Sequence, residues 1–134
     1  MALVFVVLFI LSVGCQQKPV DVDLDVKFGP IGVPVIGNDM GTRDTKELRV
    51  IVKNNENWVV EGLTVQILHT IPNFQVTPAK AKVIPLGPKG SSKNNPAVFK
   101  LKTLGTPPGK YSFTVVVKYG GVVVKSKEVE IDVK

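Results

Sequence analysis

The side chains of this chain that could perform acid–base or nucleophilic chemistry are few and far apart. There is one histidine, His69, and one cysteine, Cys15. Catalysis of either kind needs a base positioned beside a nucleophile, and several predicted strands separate these two residues. Asp39 and Asp44 share a loop and could in principle act as a carboxylate pair, but nothing else in the sequence supports such a role. The sequence therefore predicts no catalytic residues and no enzymatic activity.

The same side chains are poor candidates for metal ligands. A single histidine is too few for a copper site of the cupredoxin type. The three aspartates within residues 21–25 alternate along a predicted strand, where residues two apart are separated by about 7 Å, too far to share one calcium ion. The loop with Asp39 and Asp44 is the best place for calcium, but it lacks the spacing of an EF-hand. We expect neither a metal nor another cofactor.

The first fifteen residues, MALVFVVLFILSVGC, contain no charged side chain. A helix of residues 2–14 would be about 20 Å long, shorter than the roughly 30 Å hydrocarbon core of a bilayer. Such a run matches the hydrophobic region of an export signal, although no basic residue precedes it. We expect residues 1–15 to be an export signal or anchor segment and residues 16–19 to be a polar spacer.

The end of this run, LSVGC at residues 11–15, resembles a lipobox, the motif at which prokaryotic lipoproteins are cleaved and lipidated. The resemblance implies a diacylglycerol on Cys15, which would hold the domain at a membrane surface. The alternative is that Cys15 is an unmodified, small apolar residue. If the apolar run is retained, it must be buried against lipid or against neighbouring subunits, as in a filament.

Residues 20–134 are enough for one domain with a core. The net charge is +6, and it is uneven: residues 1–79 hold 6 basic and 8 acidic side chains, whereas residues 80–134 hold 11 lysines and 3 acidic side chains. Lysines spaced singly along strands are typical of a solvated face rather than of a nucleic-acid site. We expect no nucleic acid partner, and contact with anionic lipid headgroups is favoured over it.

Alternating apolar and polar residues predict about seven strands and no helix. Residues 71–82 are predicted to be a loop that places Phe74 and Val76 in the core. Inward positions are predicted at Leu48, Val50 and Val52 and at every second residue of the other strands. The seven predicted strands are residues 20–28, 48–53, 63 to about 69, 83–86, 99–103, 111–119 and 122–133, and the long connection after the first of them could hold a further short strand at residues 33–36.

The strongest local signal is Gly120-Gly121 between two valine-rich runs. Two glycines there predict a two-residue hairpin turn, because both positions need a positive φ. The resulting register pairs Tyr119 with Val122 and Val117 with Val124. The parity of the inward residues changes later in the second strand, so we expect a β-bulge near residues 126–127.

Five residues are candidates for contact with a partner. Val116 and Val123 are predicted to face outward beside two lysines. The tryptophan follows an asparagine-rich turn, where it would either stack on a sugar or be partly buried at the start of a strand. The candidate interaction residues are Trp58, Val116, Lys118, Val123 and Lys125.

Four segments carry a family resemblance: VIVKN at residues 50–54, GLTV at 62–65, IPLGP at 84–88 and PGKYSF at 108–113. They resemble the immunoglobulin-like domains of the cell-adhesion-related and S-layer-associated type in prokaryotic surface proteins. The resemblance implies an all-β, antiparallel, immunoglobulin-like β-sandwich. The Gly-x-Tyr sequence also looks like a tyrosine corner, which implies a hydrogen bond from the Tyr111 hydroxyl to upstream backbone.

These observations predict a non-catalytic, extracytoplasmic surface module that is anchored to a membrane through its N-terminus. It would act in adhesion or protein–protein interaction at the cell surface. The alternative is a structural subunit of a pilus-like extracellular filament, in which the apolar N-terminal segment packs into neighbouring subunits.

Overall fold

The computed structural model describes residues 20–30 and 36–134, and that part of the chain forms nine strands. The predicted all-β architecture is confirmed. Nothing in the described ranges forms a helix long and apolar enough to cross a membrane. The strands are β1 Val22–Phe28, β2 Asp39–Met40, β3 Thr45–Asn54, β4 Leu63–Leu68, β5 Phe74–Thr77, β6 Lys80–Lys82, β7 Ala97–Thr103, β8 Gly109–Tyr119 and β9 Val122–Val133.

The strands form two sheets. One has four strands in the order β1-β3-β7-β5, and the other has five in the order β2-β9-β8-β4-β6. All neighbours are antiparallel except β2 and β9, which run parallel over two residue pairs. Consecutive strands often lie in different sheets, so the inner faces of both sheets together enclose the core.

The core is made by every second residue of the long strands, as predicted. Leu48, Val50 and Val52 are fully buried on β3, and Phe99 and Leu101 are fully buried on β7. Burial of each such side chain stabilises the fold by about 1.5–3 kcal/mol. The alternating pattern therefore fixes which face of each sheet is internal.

The prediction of a loop over residues 71–82 is wrong, because this segment contains β5 and β6. β5 pairs with β7 in the four-stranded sheet, and β6 pairs with β4 in the five-stranded sheet. Each strand has only three or four residues, which is too short for a periodic pattern to be recognised. Phe74 is buried as predicted, and Val76 packs against the core while partly buried.

The predicted edge strand at residues 83–86 is also wrong. Its only strand-like pairing is an isolated bridge between Leu86 and Val60, since Pro85 has no N–H to donate. The Val83 N–H donates to the Leu63 carbonyl over 2.9 Å, which keeps the segment beside β4. Of the predicted strand at residues 33–36, only Ile36 lies within the described residues, and it is not in a strand.

The hairpin turn is confirmed, with φ of 59° at Gly120 and 80° at Gly121. Tyr119 pairs with Val122 as predicted, but Val117 pairs with Lys125 rather than with Val124. The bulge is therefore at Val124, close to the turn, and the predicted position at residues 126–127 is wrong. In this position Val124 packs against the core. Strand periodicity alone does not reveal this contact.

The predicted tyrosine corner is present. The Tyr111 hydroxyl donates to the Pro107 carbonyl over 2.8 Å. The bond ties the start of β8 to the loop that leads into it, and so it fixes how the chain enters the central strand of the five-stranded sheet.

The register places three connections at one end of the sandwich. β1 starts with Val22 opposite Asn54, and β4 starts with Leu63 opposite Tyr119. The β3–β4 loop (residues 55–62), the β6–β7 loop (residues 83–96) and the Gly120-Gly121 turn therefore lie together, and we call this the hairpin end. The opposite end, with residues 69–73 and 104–108, is called the far end.

Candidate functional site

A fully buried asparagine organises the hairpin end. Asn54 closes β3, and its Nδ2 donates to the carbonyls of Trp58 (2.7 Å), Leu86 (3.2 Å) and Gly87 (3.0 Å). Its Oδ1 accepts a hydrogen bond from the Glu56 N–H over 2.8 Å. A buried amide with all its polar atoms engaged specifies one arrangement of the surrounding backbone. The β3–β4 and β6–β7 loops are thus held together by one side chain.

The start of the described chain joins the same network. The Asn55 N–H donates to the Asp21 carbonyl over 3.0 Å, and the Asp21 N–H donates to the Glu56 carboxylate over 2.9 Å. The Lys89 N–H donates to the Glu56 carbonyl over 3.1 Å. Residues 20 and 21 are therefore fixed at the hairpin end.

Most of the exposed large hydrophobic side chains lie at the hairpin end. The described residues contain eight such side chains, and five of them belong to its loops and turn. Single exposed apolar residues are ordinary on a protein surface, but their concentration in one region makes that region a candidate interaction surface. The five are Trp58 (46% exposed), Val59 (51%), Ile84 (37%), Val122 (64%) and Val123 (49%).

Lysines also lie at the hairpin end. Residues 62–127 contain ten lysines and no acidic residue. The register brings two of them together at the hairpin end, because Thr64 on β4 lies between Lys82 on β6 and Lys118 on β8. Lys80 lies on the same face, opposite Gln66.

These lysines line a shallow groove of about 490 Å³ on the outer face of the five-stranded sheet. Thr64, Gln66 and the Gly120-Gly121 turn also line it. No carboxylate lines it, and none of its three lysines forms a salt bridge within the described residues. Ammonium groups in this setting bind phosphate or carboxylate oxygens through charge-assisted hydrogen bonds.

The candidate interaction residues occupy different environments. Lys118 and Val123 lie opposite each other on the outer face, as predicted, and Trp58 is about half exposed. Lys125 does not lie on that face, because the bulge at Val124 changes the parity of β9 and sets Lys125 opposite an inward valine. It remains exposed at the edge of the sheet, where an inward-directed charge discourages pairing with another strand.

Val116 points outward, as predicted from its place between two core residues, but it is only 4% exposed. β8 is the central strand of its sheet, and Val116 is flanked by Gln66 on β4 and Ser126 on β9. It therefore offers a partner almost no surface. Contact with a partner stays a prediction for the other four candidates, and Cys15 lies outside the described residues.

His69 lies at the far end and is bound within its own turn. Its Nδ1 accepts a hydrogen bond from the Ile71 N–H over 3.1 Å, and its ring meets Phe74 edge-on with centroids 5.0 Å apart. Burial lowers the pKa of His69, because the protonated ring would lose solvation. The geometry favours a neutral imidazole with a structural role.

The two aspartates of the predicted calcium loop have separate partners. The Asp44 carboxylate accepts hydrogen bonds from the N–H groups of Gly41 (3.0 Å) and Thr45 (2.8 Å), which lower its pKa. The Asp39 carboxylate lies 3.4 Å from the Lys134 ammonium. Across residues 20–30 and 36–134, no three His, Cys, Asp or Glu side chains are grouped as a metal site would require.

Among solved structures, the CARDB domain of a Pyrococcus furiosus protein, determined in complex with di-metal ions, is similar to this chain with a TM-score of 0.58. The alignment covers 87% of this chain and 90% of that domain at 18% identity. The chain has an immunoglobulin-like β-sandwich fold. The predicted likeness to cell-adhesion-related domains is thus confirmed at the level of fold, and the likeness to S-layer-associated domains and to a lipobox stays a prediction.

Two further solved structures are less similar to this chain. A β-glucosidase from Erythrobacter marinus matches 86% of this chain with only 16% of its own length, at 14% identity and a TM-score of 0.51. A Caenorhabditis elegans member of the MSP family, WR4, matches 88% of this chain and 100% of its own length at 10% identity and a TM-score of 0.48. Likeness at these identities concerns the fold and does not transfer a function.

No protein-family model and no curated protein matches the sequence. The site therefore has to be understood from its own residues. Sequence reasoning missed Lys80 and Lys82 because it assigned them to a loop, and it missed Asn54 because an asparagine after a strand indicates a turn whether or not its side chain is buried.

Proposed function

We propose that this chain is a non-catalytic module that acts outside the cytoplasm, held at a membrane by residues 1–15 and engaged in adhesion or protein–protein interaction. The supporting observation is that the described chain starts inside the hydrogen-bond network of the hairpin end. The five residue steps from Cys15 to Val20 span at most about 17 Å. A lipid on Cys15 would therefore hold the hairpin end close to the bilayer.

The hydrogen bonds of the polar side chains support a binding role rather than a catalytic one. His69 accepts a hydrogen bond from its own turn, and the Asp44 carboxylate accepts two from its own loop. The two hydrogen bonds lower the basicity of Asp44, and His69 and Asp44 lie in different loops.

The far end would then face away from the membrane. It exposes a small set of apolar side chains that a protein partner could cover, namely Ile36 (44% exposed), Leu68 (47%) and Leu104 (46%). An anchored domain that presents one end to the membrane and the other to its surroundings has the geometry of a surface adhesion module.

The test is membrane fractionation of the full chain expressed in a lipoprotein-processing bacterial host, combined with the intact mass of the recovered protein. We expect wild-type protein in the membrane fraction, beginning at Cys15 and carrying a diacylglycerol. Cys15→Ser should retain residues 1–14 and carry no lipid. A wild-type chain that is recovered without lipid and with residues 1–15 intact would contradict lipidation.

Analytical ultracentrifugation of the same preparations separates this proposal from a filament subunit. We expect the detergent-solubilised wild-type chain to be free of polymers. Polymers that disappear on deletion of residues 1–14, while the domain stays folded, would favour the filament instead.

A further inference from the structure

We infer that the hairpin end docks on an anionic lipid surface, with its exposed apolar side chains among the headgroups and its groove lysines on lipid phosphates. This inference rests on the proposed anchoring function, because the tether would present this end of the domain to the bilayer. It adds a second contact, made by the folded domain itself.

The apolar part of the contact is provided by the turn and the β3–β4 loop. Val122 and Val123 directly follow the Gly120-Gly121 turn and are 64% and 49% exposed. Trp58 and Val59 are exposed to a similar degree on the neighbouring loop. Tryptophan is enriched at membrane–water interfaces, and aliphatic side chains next to it add buried apolar area.

The charged part of the contact is provided by the groove. Lys82 and Lys118 flank Thr64 at the hairpin end, and no carboxylate lines the groove they share. Basic side chains beside an apolar contact are attracted by the negative potential of anionic lipids. Lys89 and Lys93 extend the positive charge along the β6–β7 loop of the same end.

Carboxylates are present at this end as well, but they are outnumbered. Asp21, Glu56 and Glu61 lie on its loops, and the Glu56 carboxylate accepts the Asp21 N–H. The lysines of the groove and of the β6–β7 loop leave the end with a positive excess. An anionic surface is therefore favoured over a neutral one.

The docking surface is already organised before it meets lipid. The Asn54 hydrogen bonds to Trp58, Leu86 and Gly87 hold the two loops that carry three of the five exposed apolar side chains of this end. A surface that needs no reordering loses less conformational entropy on binding. The network also includes Asp21, so the described chain starts at the docking surface.

The test uses Trp58, the only tryptophan of the chain, as the probe. Lipidated full-length protein is added to vesicles of phosphatidylcholine with phosphatidylglycerol, in which part of the lipid is brominated near the headgroup. We expect Trp58 emission to shift to shorter wavelength and to be quenched by the brominated lipid. Val122→Asp and Val123→Asp should abolish both effects, whereas Leu104→Asp at the far end should leave them unchanged.

The same assay tests the lysines. The quantity compared is the ratio of docked to undocked domains, measured from the fraction of Trp58 emission that is quenched. We expect Lys82→Gln and Lys118→Gln each to lower this ratio by about fivefold, the effect of roughly 1 kcal/mol per lysine near an anionic surface. Lys100→Gln and Lys102→Gln, on the outer face of the other sheet, should have little effect. An unchanged unfolding midpoint in urea shows that each variant is folded.

The outcomes separate the two proposals. A lipidated chain that does not sediment with vesicles overturns both the anchoring function and the docking. A chain that sediments while Trp58 stays unquenched overturns the docking alone. If the Trp58 emission shifts without vesicles, and the shift grows with protein concentration, the surface binds a second copy of the chain instead. If inorganic phosphate alone changes the Trp58 emission, the groove binds a free anion instead.

Discussion

The side-chain amide of Asn54 lies 2.7 Å from the backbone carbonyl of Trp58, and this bond joins a fully buried polar residue of the hairpin end to the backbone of a residue whose side chain is about half exposed. The tryptophan is held at the surface because the backbone beneath it is tied to the core. The backbone position of this exposed residue is therefore held in part by a single asparagine.

Asn54→Ala should therefore destabilise the domain by about 3 kcal/mol, because three carbonyls and one N–H lose a partner in a buried setting. Asn55→Ala is the matched control, since its side chain makes only one long contact of 3.4 Å to Asp21. The difference should appear as a shift of the urea unfolding midpoint. Equal midpoints for the two variants would show that the network does not hold the hairpin end.

The two glycines of the Gly120-Gly121 turn should differ in how much a substitution costs in stability. Gly121→Ala should cost about 1–2 kcal/mol, because an L-residue is strained at a φ of 80° although no atom would contact the new Cβ. Gly120→Asn should be tolerated within about 0.5 kcal/mol, since asparagine is favoured at the first position of this turn. Thermal unfolding of the two variants provides the comparison, and a harmless Gly121→Ala would contradict the assigned turn.

Because of His69, the stability of the domain should depend on pH. Burial lowers its pKa in the folded state below 6.5, so the unfolded chain binds more protons as the pH falls through that value. The free energy of unfolding should therefore decrease from pH 7.5 to pH 5.5.

His69→Asn isolates this effect, because an asparagine at the same position can still accept the N–H of Ile71 without titrating. We expect the variant to lose less stability than wild type over the same range in urea titrations. Parallel curves for the two proteins would exclude His69 as the source.

One substitution of Arg49 is expected not to destabilise the domain. Its Nε and Nη2 are buried without a hydrogen-bond acceptor within the described residues, and its cross-strand neighbours are Lys27 and Val98. Arg49→Met removes the unsatisfied donors and keeps most of the apolar stem. We expect a change between zero and a gain of about 1 kcal/mol in urea unfolding, whereas a loss above about 1 kcal/mol would show that the guanidinium has a partner in solution.

The long strands were predictable because one physical rule governs them. β3 and β7 alternate between buried and exposed residues, so their sequence specifies both the strand and its inner face. Gly120-Gly121 was predictable for a similar reason, since only a narrow set of turns accepts two positive φ values.

The remaining features depend on contacts that are distant in the sequence. β5 and β6 are too short to show a period, and they exist because β7 and β4 provide partners for them. The bulge at Val124 lets that side chain pack against the core, which is built from residues distant in the sequence. The groove was missed for the same reason, because Lys80 and Lys82 approach Lys118 only after β6 joins β4.

Hydrogen exchange of the full chain bound to phosphatidylglycerol-containing vesicles tests the central claim most directly. The account predicts added protection at residues 55–62, 84–93 and 119–124, with no change at residues 69–73 and 104–108. Protection at the far end, or an exchange pattern identical to that of the vesicle-free protein, would contradict the claim that the hairpin end meets the membrane.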